Sequence, residues 1–277
     1  MRIVAALWRS SHPGPTVVVT VLALALGVSV GVDAARLAVL VVSVLLGQLS
    51  IGISNDAIDA PRDRVTGRTD KPIARGDVSV RAAWIAAWST LVAALVLSAL
   101  LSWQLALAHA VFLGSGWAYN AWLKSTVFSA LCFVVGFGVF PSLAPLALPE
   151  PQVAAPWAWV AGATLGLAVH FSNVLPDLDD DERTGVRGLP HRLGRRASAG
   201  VAAVGLIIGA TAVLIGSAEG AAPSPLSWLF FAAIVGVAAW GLVAALAQPP
   251  RRLVFRLVMT ASLLLALQLV LAGNLTG

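Results

Sequence analysis

The sequence predicts an all-α, polytopic membrane protein in which a bundle of nine transmembrane helices surrounds a central cavity that opens to the cytoplasmic face. Hydrophobic residues make up 58% of the 277 residues and charged residues only 11%, whereas a soluble domain carries roughly 25% charged residues. The apolar residues fall into nine stretches, each long enough to cross a bilayer as a helix. An acidic pattern that ends one stretch occurs again at the end of another, which predicts a single domain over 1–277 with two pseudo-repeats, about 16–125 and 127–245.

The first span is expected at 16–32, after a tail that carries Arg2 and Arg9. Its length, and the further apolar stretches that follow, favour a retained helix over a cleaved signal peptide. The second span is expected at 37–54, and a polar stretch from Ala57 to Val80 follows it. The remaining spans are expected at 82–101, 105–122, 127–148, 156–175, 199–216, 226–246 and 253–272.

The basic residues are distributed unevenly along the chain. Of the 18 Lys and Arg residues, all except Arg36 lie in the N-terminal tail, in alternate loops or within a few residues of these loops. The loops concerned are 57–80, 123–126, 176–198 and 247–252. Because basic loops stay in the cytoplasm, the pattern predicts a cytoplasmic N-terminus and places both acidic patterns on the cytoplasmic face. The net charge of +5 is therefore a topology signal and indicates no nucleic-acid-binding surface.

Composition adds two further expectations. Arginine outnumbers lysine and alanine is abundant, which is typical of a GC-rich bacterial genome and predicts a bacterial cell membrane as the location. The single cysteine, Cys132, lies in an apolar run. One thiol in such a run excludes a disulfide framework and a thiolate metal site.

The two acidic patterns match each other at a constant offset of 118 positions. The identical residues are Asn55, Asp59, Asp63, Thr66, Gly67, Pro72 and Gly76, which fall on Asn173, Asp177, Asp181, Thr184, Gly185, Pro190 and Gly194. Such an ungapped match is difficult to obtain by chance in polar loops, so we interpret it as an internal duplication.

The spacing of the acids predicts a metal site. Residues four apart lie one above the other on a helix, so Asn55, Asp59 and Asp63 share one face. Two such helices facing each other would concentrate negative charge unless cations lie between them, and oxygen ligands select Mg²⁺, whose shell substrate phosphates complete. The candidate metal ligands are Asn55, Asp56, Asp59, Asp63, Asp177, Asp180 and Asp181, of which Asp59, Asp63, Asp177 and Asp181 are also the candidate catalytic residues. The simpler alternative is two charged helix ends that water solvates at the membrane surface.

Basic residues follow each acidic pattern, and a metal-bound diphosphate needs such groups. Arginine holds phosphate oxygens in a bidentate fork, and lysine supplies a point charge. The candidate diphosphate-binding residues are Arg68, Lys71, Lys124 and Arg187. For bases farther from the acids we prefer contact with lipid head groups as topology determinants: Arg195, Arg196, Arg251, Arg252 and Arg256.

Together these motifs resemble those of the UbiA superfamily of intramembrane prenyltransferases. The family's N-D-x-x-D-x-x-x-D motif is met by Asn55, Asp56, Asp59 and Asp63, and its D-x-x-x-D motif by Asp177 and Asp181. Arg68 to Ile73, Tyr119 to Lys124 and Gly185 to Arg187 are similar to the segments that accompany these motifs. The sequence departs from the family pattern at Gly188 and His191, where threonine and an aliphatic residue are common.

The resemblance implies transfer of an isoprenyl group from an isoprenyl diphosphate, through Mg²⁺, to a lipophilic or aromatic acceptor within the bilayer. The apolar bundle would hold the isoprenoid tail and exclude water. Candidate acceptor or cavity residues are Tyr119, Asn120, His170 and Asn173. For His170 a structural hydrogen bond between helices is the alternative, and Gln48 is expected to line the same cavity.

Two other functions are consistent with parts of the pattern. A membrane terpene cyclase would use the same ionisation chemistry without an external acceptor. A transporter is a more distant alternative, since internal repeats are common among transporters, but its site usually lies near the midplane of the membrane. The D-x-x-D-G-x-x-A-R pattern of CDP-alcohol phosphatidyltransferases does not occur in the sequence.

Overall fold

The computed structural model describes residues 2–175, 187–218, 220–247 and 251–276. All the regular structure within these ranges is helical, which confirms the all-α prediction. The α-helices are α1 Arg2–Ser10, α2 Pro13–Ser29, α3 Ala34–Val65, α4 Pro72–Arg75, α5 Val80–Leu101, α6 Trp103–Ala121, α7 Ser129–Val139, α8 Pro156–Val174, α9 Leu189–Gly216, α10 Pro225–Ala247 and α11 Arg251–Ala272. Short 3₁₀ turns cover Leu123–Ser125, Phe140–Leu143 and Pro145–Ala147.

Several of these helices are long and apolar enough to cross a membrane. Within the described ranges, five meet this condition by length and composition: α3, α5, α9, α10 and, over Leu253–Ala272, α11. The bent pair of α1 and α2, which meet at 73°, would make a sixth if it counts as one span. The fifth predicted span, 127–148, contains the shorter helix α7, because Pro141 and Pro145 cannot continue an α-helix and the chain enters 3₁₀ turns instead.

The helices pack around a central space. Helix α3 contacts α2, α5 and α6, and α8 contacts α7, α9 and α11. The helices up to α6 form an N-terminal group, and those from α7 onward form a C-terminal group. The two groups meet where α6 contacts α7 and where α11 contacts α2. The C-terminal part of α3 lies against Lys124, which follows α6, and residues of α3, α6 and α8 line one cavity. The candidate site lies here.

Helix α3 is longer than the predicted span. It continues past Ser54 to Val65 and contains Pro61, so the first acidic motif lies on the helix itself, as the four-residue spacing predicts. Helix α9 also begins earlier than predicted, at Leu189, and its backbone breaks at Gly194. The short helices α1 and α4 lie in segments for which the sequence indicated only a basic tail and a polar loop.

The two segments related by the offset of 118 positions share one backbone feature, a glycine with positive φ, although ψ is 12° at Gly76 and 171° at Gly194. In each, a short helical stretch carries Pro72 or Pro190 and ends at Gly76 or Gly194. These glycines have φ values of 86° and 76°, a left-handed region that side chains with a Cβ rarely adopt. The identity of glycine at both positions therefore has a conformational cause.

Arg36, the single exception to the charge asymmetry, has a structural role. Its Nη1 donates to the carbonyl of Ala147 at 3.1 Å and to those of Leu101 and Leu148 at 3.4 Å. Its Nε lies 3.8 Å from Asp33. Arg36 thereby donates hydrogen bonds to carbonyl groups at the end of α5 and at the end of the 3₁₀ turns. These carbonyl groups would otherwise lack partners.

Candidate active site

The first acidic motif lies on the last turns of α3. Asp56 and Asp63 are buried, with side chains only 2% and 5% exposed, and Asp59 is 14% exposed. Asn55 is half-buried and lines the central cavity. Carboxylates this deeply placed require compensating charge, because an unpaired buried charge is costly.

Basic side chains supply that charge. Lys124, which follows α6, contacts Asp59 Oδ1, and Lys71, just before α4, lies 2.7 Å from Asp56 Oδ1. Arg62 lies between two acids, 3.4 Å from Asp59 Oδ2 and 3.9 Å from Asp63 Oδ1. Two of the predicted diphosphate-binding residues, Lys71 and Lys124, therefore lie directly against predicted metal ligands.

The other two predicted diphosphate-binding residues, Arg68 and Arg187, form no ion pair with the acids of this motif among the described contacts. The Arg68 guanidinium forms a two-pronged interaction with Asp70, at 2.8 Å and 2.7 Å, and this holds the pKa of the Asp70 carboxyl well below its usual range. The side chain of Arg187 is exposed. Neither residue lines the central cavity.

Three predicted residues of the second motif, Asp177, Asp180 and Asp181, lie outside the described residues. The segments on either side of them are near the first motif. Asn173, which precedes them, lines the same cavity as Asn55. Gly188, which follows them, is packed so closely on Lys124 that an added Cβ would lie 2.6 Å from the Lys124 carbonyl oxygen. A threonine at this position, common in the family, would collide with that carbonyl.

The central cavity has a volume of about 550 Å³ and a mostly apolar lining. Residues from α2, α3, α6, α7, α8 and α11 contribute to it. An aromatic wall from α6 and α7 is formed by Phe112, Tyr119, Phe133 and Phe137, and Phe255 of α11 also lines the cavity. Gln48 and Cys132 also line it, which agrees with the expectation for Gln48.

Two of the predicted acceptor residues connect helices at this cavity. Asn120 lines it, and the Asn120 amide donates to the carbonyl of Ile51 at 2.9 Å, which joins α6 to α3. Tyr119 also lines it, and its ring lies edge-on to Phe133 with centroids 5.1 Å apart. Both side chains thus lie where a substrate in the cavity would contact them.

His170 is not part of the cavity lining. It is buried, and its Nε2 lies 3.1 Å from Ser129 Oγ. Its ring packs behind Tyr119 and Phe133, with centroids 5.7 Å and 4.8 Å away. The sequence offered two roles for His170, contact with the acceptor or a hydrogen bond between helices. Its contact with Ser129 favours the hydrogen bond between helices.

Sequence reasoning missed two residues that contact the acids. Arg62 bridges Asp59 and Asp63, and its position one turn after Asp59 was a signal available in the sequence. The other is His12, whose Nε2 lies 3.0 Å from Asp56 Oδ1. It precedes Asp56 by 44 positions and belongs to no motif, so no sequence signal identified it.

The donor set is suited to a hard divalent ion. Asn55, Asp59 and Asp63 present oxygen atoms on consecutive turns of α3, and Asp56 Oδ2 is buried without a hydrogen-bond partner. Oxygen ligands of this kind suit Mg²⁺. Across the portion of the chain that is described, no three His, Cys, Asp or Glu residues converge as a complete metal site, so α3 supplies at most part of one.

The sequence profile of the UbiA prenyltransferase family matches residues 16–272, whereas no curated protein is similar enough in sequence to count as a match. Among solved structures, the chain is similar to a digeranylgeranylglyceryl phosphate synthase, with a TM-score of 0.78, 12% identity and 99% of each chain covered.

The fold is also similar to that of two archaeal UbiA homologues. One is from Aeropyrum pernix K1, with a TM-score of 0.72, 16% identity, and 91% of this chain and 97% of that chain covered. The other is from Archaeoglobus fulgidus and was solved with GPP and Mg²⁺, with a TM-score of 0.71, 15% identity, and 96% and 99% covered. At such identities the structural similarity shows the fold, and the profile match shows the relationship. The chain is therefore a member of the UbiA prenyltransferase family.

Proposed function

We propose that this protein transfers an isoprenyl group from an isoprenyl diphosphate to a lipophilic or aromatic acceptor inside the membrane, with Mg²⁺ as its cofactor. One observation carries the proposal: a single apolar cavity of about 550 Å³ reaches Asn55, the first residue of an acidic motif that is already surrounded by bases. Such a cavity suits a molecule with a long hydrocarbon tail and a charged head.

Asn55, Asp59 and Asp63 would hold Mg²⁺ together with Asp177 and Asp181 of the second motif, and Asp56 and Asp180 are the further candidate ligands. Support comes from the residues that flank the second motif, since Asn173 lines the cavity and Gly188 packs against Lys124. Archaeoglobus fulgidus homologues were solved with GPP and Mg²⁺, with DMAPP and Mg²⁺, and with Cd²⁺. Bound Mg²⁺ supplies positive charge to the departing diphosphate.

Lys71, Lys124, Arg68 and Arg187 would bind the diphosphate oxygens. Lys71 and Lys124 now neutralise Asp56 and Asp59, so each lies within reach of an incoming diphosphate once a metal neutralises the acids. Fixed positive charge at this point stabilises the negative charge that develops as the bond to the isoprenyl carbon breaks.

The apolar part of the cavity would hold the isoprenoid chain and keep water from the allylic cation. Phe133 and Phe137 present stacked rings there, with centroids 6.2 Å apart, and aromatic faces stabilise nearby positive charge. Tyr119, Asn120 and Asn173 are polar residues that line the same cavity as Asn55, which makes them the residues best placed to contact the acceptor. His170 would support Tyr119 from behind.

We further propose the architecture that this chemistry requires. The nine spans correspond to α2, α3 and α5 to α11, with both acidic motifs and the mouth of the cavity at the cytoplasmic face of a bacterial cell membrane. The charge asymmetry supports this orientation. Helices α2, α3, α5 and α6, like α7 to α10, each contact the next helix in their series, which supports two pseudo-repeats within one domain.

Purified protein in nanodiscs, supplied with radiolabelled geranyl, farnesyl or geranylgeranyl diphosphate and candidate quinone precursors, tests the proposal. We expect a prenylated acceptor only when Mg²⁺ is present. A cyclic hydrocarbon formed without acceptor would instead identify a terpene cyclase. Failure to bind or consume any of the diphosphates in the presence of Mg²⁺ would refute both.

A further inference from the structure

His12 lies in the turn between α1 and α2, and its backbone is in the left-handed region, with φ 55° and ψ 71°. In the described part of the chain it is the only residue other than glycine with positive φ. Such a conformation is strained for a residue with a side chain and persists only where the surroundings enforce it. The contacts of this turn show what enforces it.

The turn is held against α3 by close backbone packing. The Ser11 carbonyl oxygen lies against Gly52, one turn before Asn55, so closely that a Cβ at that glycine would overlap it. The same carbonyl accepts a hydrogen bond from Thr16 Oγ1 at 2.7 Å, and Ser11 Oγ donates to the Trp8 carbonyl at 2.7 Å. The turn is thus fixed from both sides, and the His12 side chain is directed at the acidic motif.

The His12 side chain shares an acceptor with Lys71. His12 Nε2 lies 3.0 Å from Asp56 Oδ1, and Lys71 Nζ lies 2.7 Å from the same oxygen. A carboxylate only accepts, so a hydrogen bond between His12 and Asp56 requires Nε2 to donate. Lys71 Nζ and Asn55 Nδ2 each lie 3.4 Å from the same ring nitrogen. One imidazole therefore contacts an amide, a carboxylate and an amine that all belong to the proposed site.

His12 also faces the cavity. Its side chain is 38% exposed, whereas that of Asp56 is 2% exposed, and both His12 and Asn55 line the cavity. Asp56 is therefore screened from the cavity, and its Oδ2 is buried without a hydrogen-bond partner. Without His12, Lys71 would be the single donor to this buried carboxylate and would be drawn more tightly to it.

We propose that His12 is a positioning residue of the prenyl-transfer site. By donating to Asp56, it leaves Lys71 Nζ, which lies 3.4 Å from the His12 ring nitrogen, available to bind the diphosphate. This inference rests on the proposed function. It extends the site to the N-terminal turn, which none of the family motifs includes.

Equilibrium binding of radiolabelled geranyl thiolodiphosphate with Mg²⁺ tests this role without turnover, because the sulfur-bridged analogue ionises slowly. The informative variant is His12→Gly, since glycine adopts the left-handed backbone freely and only the side chain is lost. We expect it to bind about tenfold more weakly, the size typical of a hydrogen bond to a charged group. The kcat for the natural diphosphate should change far less than KM, because His12 touches no reacting atom.

Binding by a double variant of His12 and Lys71 distinguishes a positioning role of His12 from a general loss of structure. If His12 acts through Lys71, the double variant His12→Gly/Lys71→Met should bind no more weakly than Lys71→Met alone. His12→Gln retains a donor and should bind within about threefold of the wild type. Arg9→Gln, an exposed position on α1, is the matched control and should bind like the wild type.

Three results would overturn the role of His12: wild-type binding by His12→Gly, losses that multiply in the double variant, or a glutamine variant as weak as the glycine variant. Each of these requires a wild-type protein that binds the analogue. A wild-type protein that binds no isoprenyl diphosphate with Mg²⁺ would refute the proposed function itself, so the two failures are distinguishable.

Discussion

The two ends of the cavity are built in different ways. At the polar end, one stretch of α3 supplies Asn55, Asp56, Asp59 and Asp63, and bases from nearby segments neutralise the acids. In the apolar chamber, by contrast, six helices each contribute a few side chains, and no one segment dominates. The polar end would therefore determine which reaction occurs, and the chamber would determine which hydrocarbon fits.

The difference predicts different responses to substitution. A change at the polar end should affect turnover with every substrate, because each substrate carries the same diphosphate. A change in the chamber should alter the preference among substrates and leave the chemistry intact. The following experiments test this distinction.

The largest effect is expected for Asp59→Ala. Loss of a metal-binding carboxylate should reduce turnover by about 100-fold or more, with every diphosphate tested. Asp177→Ala should have the same effect. Product formation from radiolabelled diphosphate measures both. The matched control is Asp77→Asn, which changes an exposed carboxylate paired with Arg75, and its turnover should remain that of the wild type. Retained activity in both alanine variants would contradict the metal assignment.

Lys124→Met should raise the affinity for Mg²⁺ and lower the affinity for the diphosphate analogue. Lys124 contacts Asp59, so a divalent cation and this lysine compete for one carboxylate, whereas a diphosphate would bind the lysine. Without diphosphate, Mg²⁺ binding should tighten by about fivefold, and binding of the diphosphate analogue should weaken by about tenfold. Calorimetric titration of each ligand measures both. A loss of affinity for both ligands would show that Lys124 only supports the fold.

Phe137→Ala should change chamber size without changing the chemistry. The shortened side chain leaves room for a longer isoprenoid, so the ratio of kcat/KM for geranylgeranyl over geranyl diphosphate should rise by about tenfold. Competition between the two labelled diphosphates gives this ratio. Phe128→Ala is the control, because that ring is exposed outside the cavity. An equal loss with both diphosphates would place Phe137 in the chemistry rather than in selection.

The smallest effect on turnover is expected for Arg36→Gln. This charge lies outside the cavity and binds three carbonyl groups. Its removal should lower the free energy of unfolding by about 1–3 kcal/mol, seen as a lower melting temperature in detergent. The turnover measured below that temperature should be unchanged. A strong loss of turnover in the folded variant would mean that the opposite end of the bundle also takes part in function.

The polar end was predictable because its polar and charged residues recur at a regular spacing in the sequence. Asn55, Asp59 and Asp63 recur at helical spacing, and a carboxylate inside a membrane protein is costly enough to indicate a function. Lys124 was identified from its neighbours in sequence. Gly188 was noted as a departure from the family, but its cause, the nearby Lys124 carbonyl, is a contact between distant segments.

The chamber and the N-terminal turn were not predictable for the opposite reason. Phe133 and Phe137 lie in an apolar helix among other apolar residues, so nothing in the sequence distinguishes the cavity wall from the lipid-facing surface. His12 is a single polar residue in a tail, and its partner Asp56 is 44 positions away. The polar Gln48 was the one cavity residue in the apolar part of α3 that the sequence singled out.

By itself, the sequence determined that this protein is a helical membrane protein, where its long apolar stretches lie, and which acids share a helix face. Composition and periodicity are local properties, and they are sufficient for these conclusions. Only the tertiary structure decided which base neutralises which acid, that Tyr119 and Asn120 line the cavity while His170 lies behind it, and that the turn at His12 reaches the acids. These depend on how helices distant in sequence pack against one another, which no local pattern encodes.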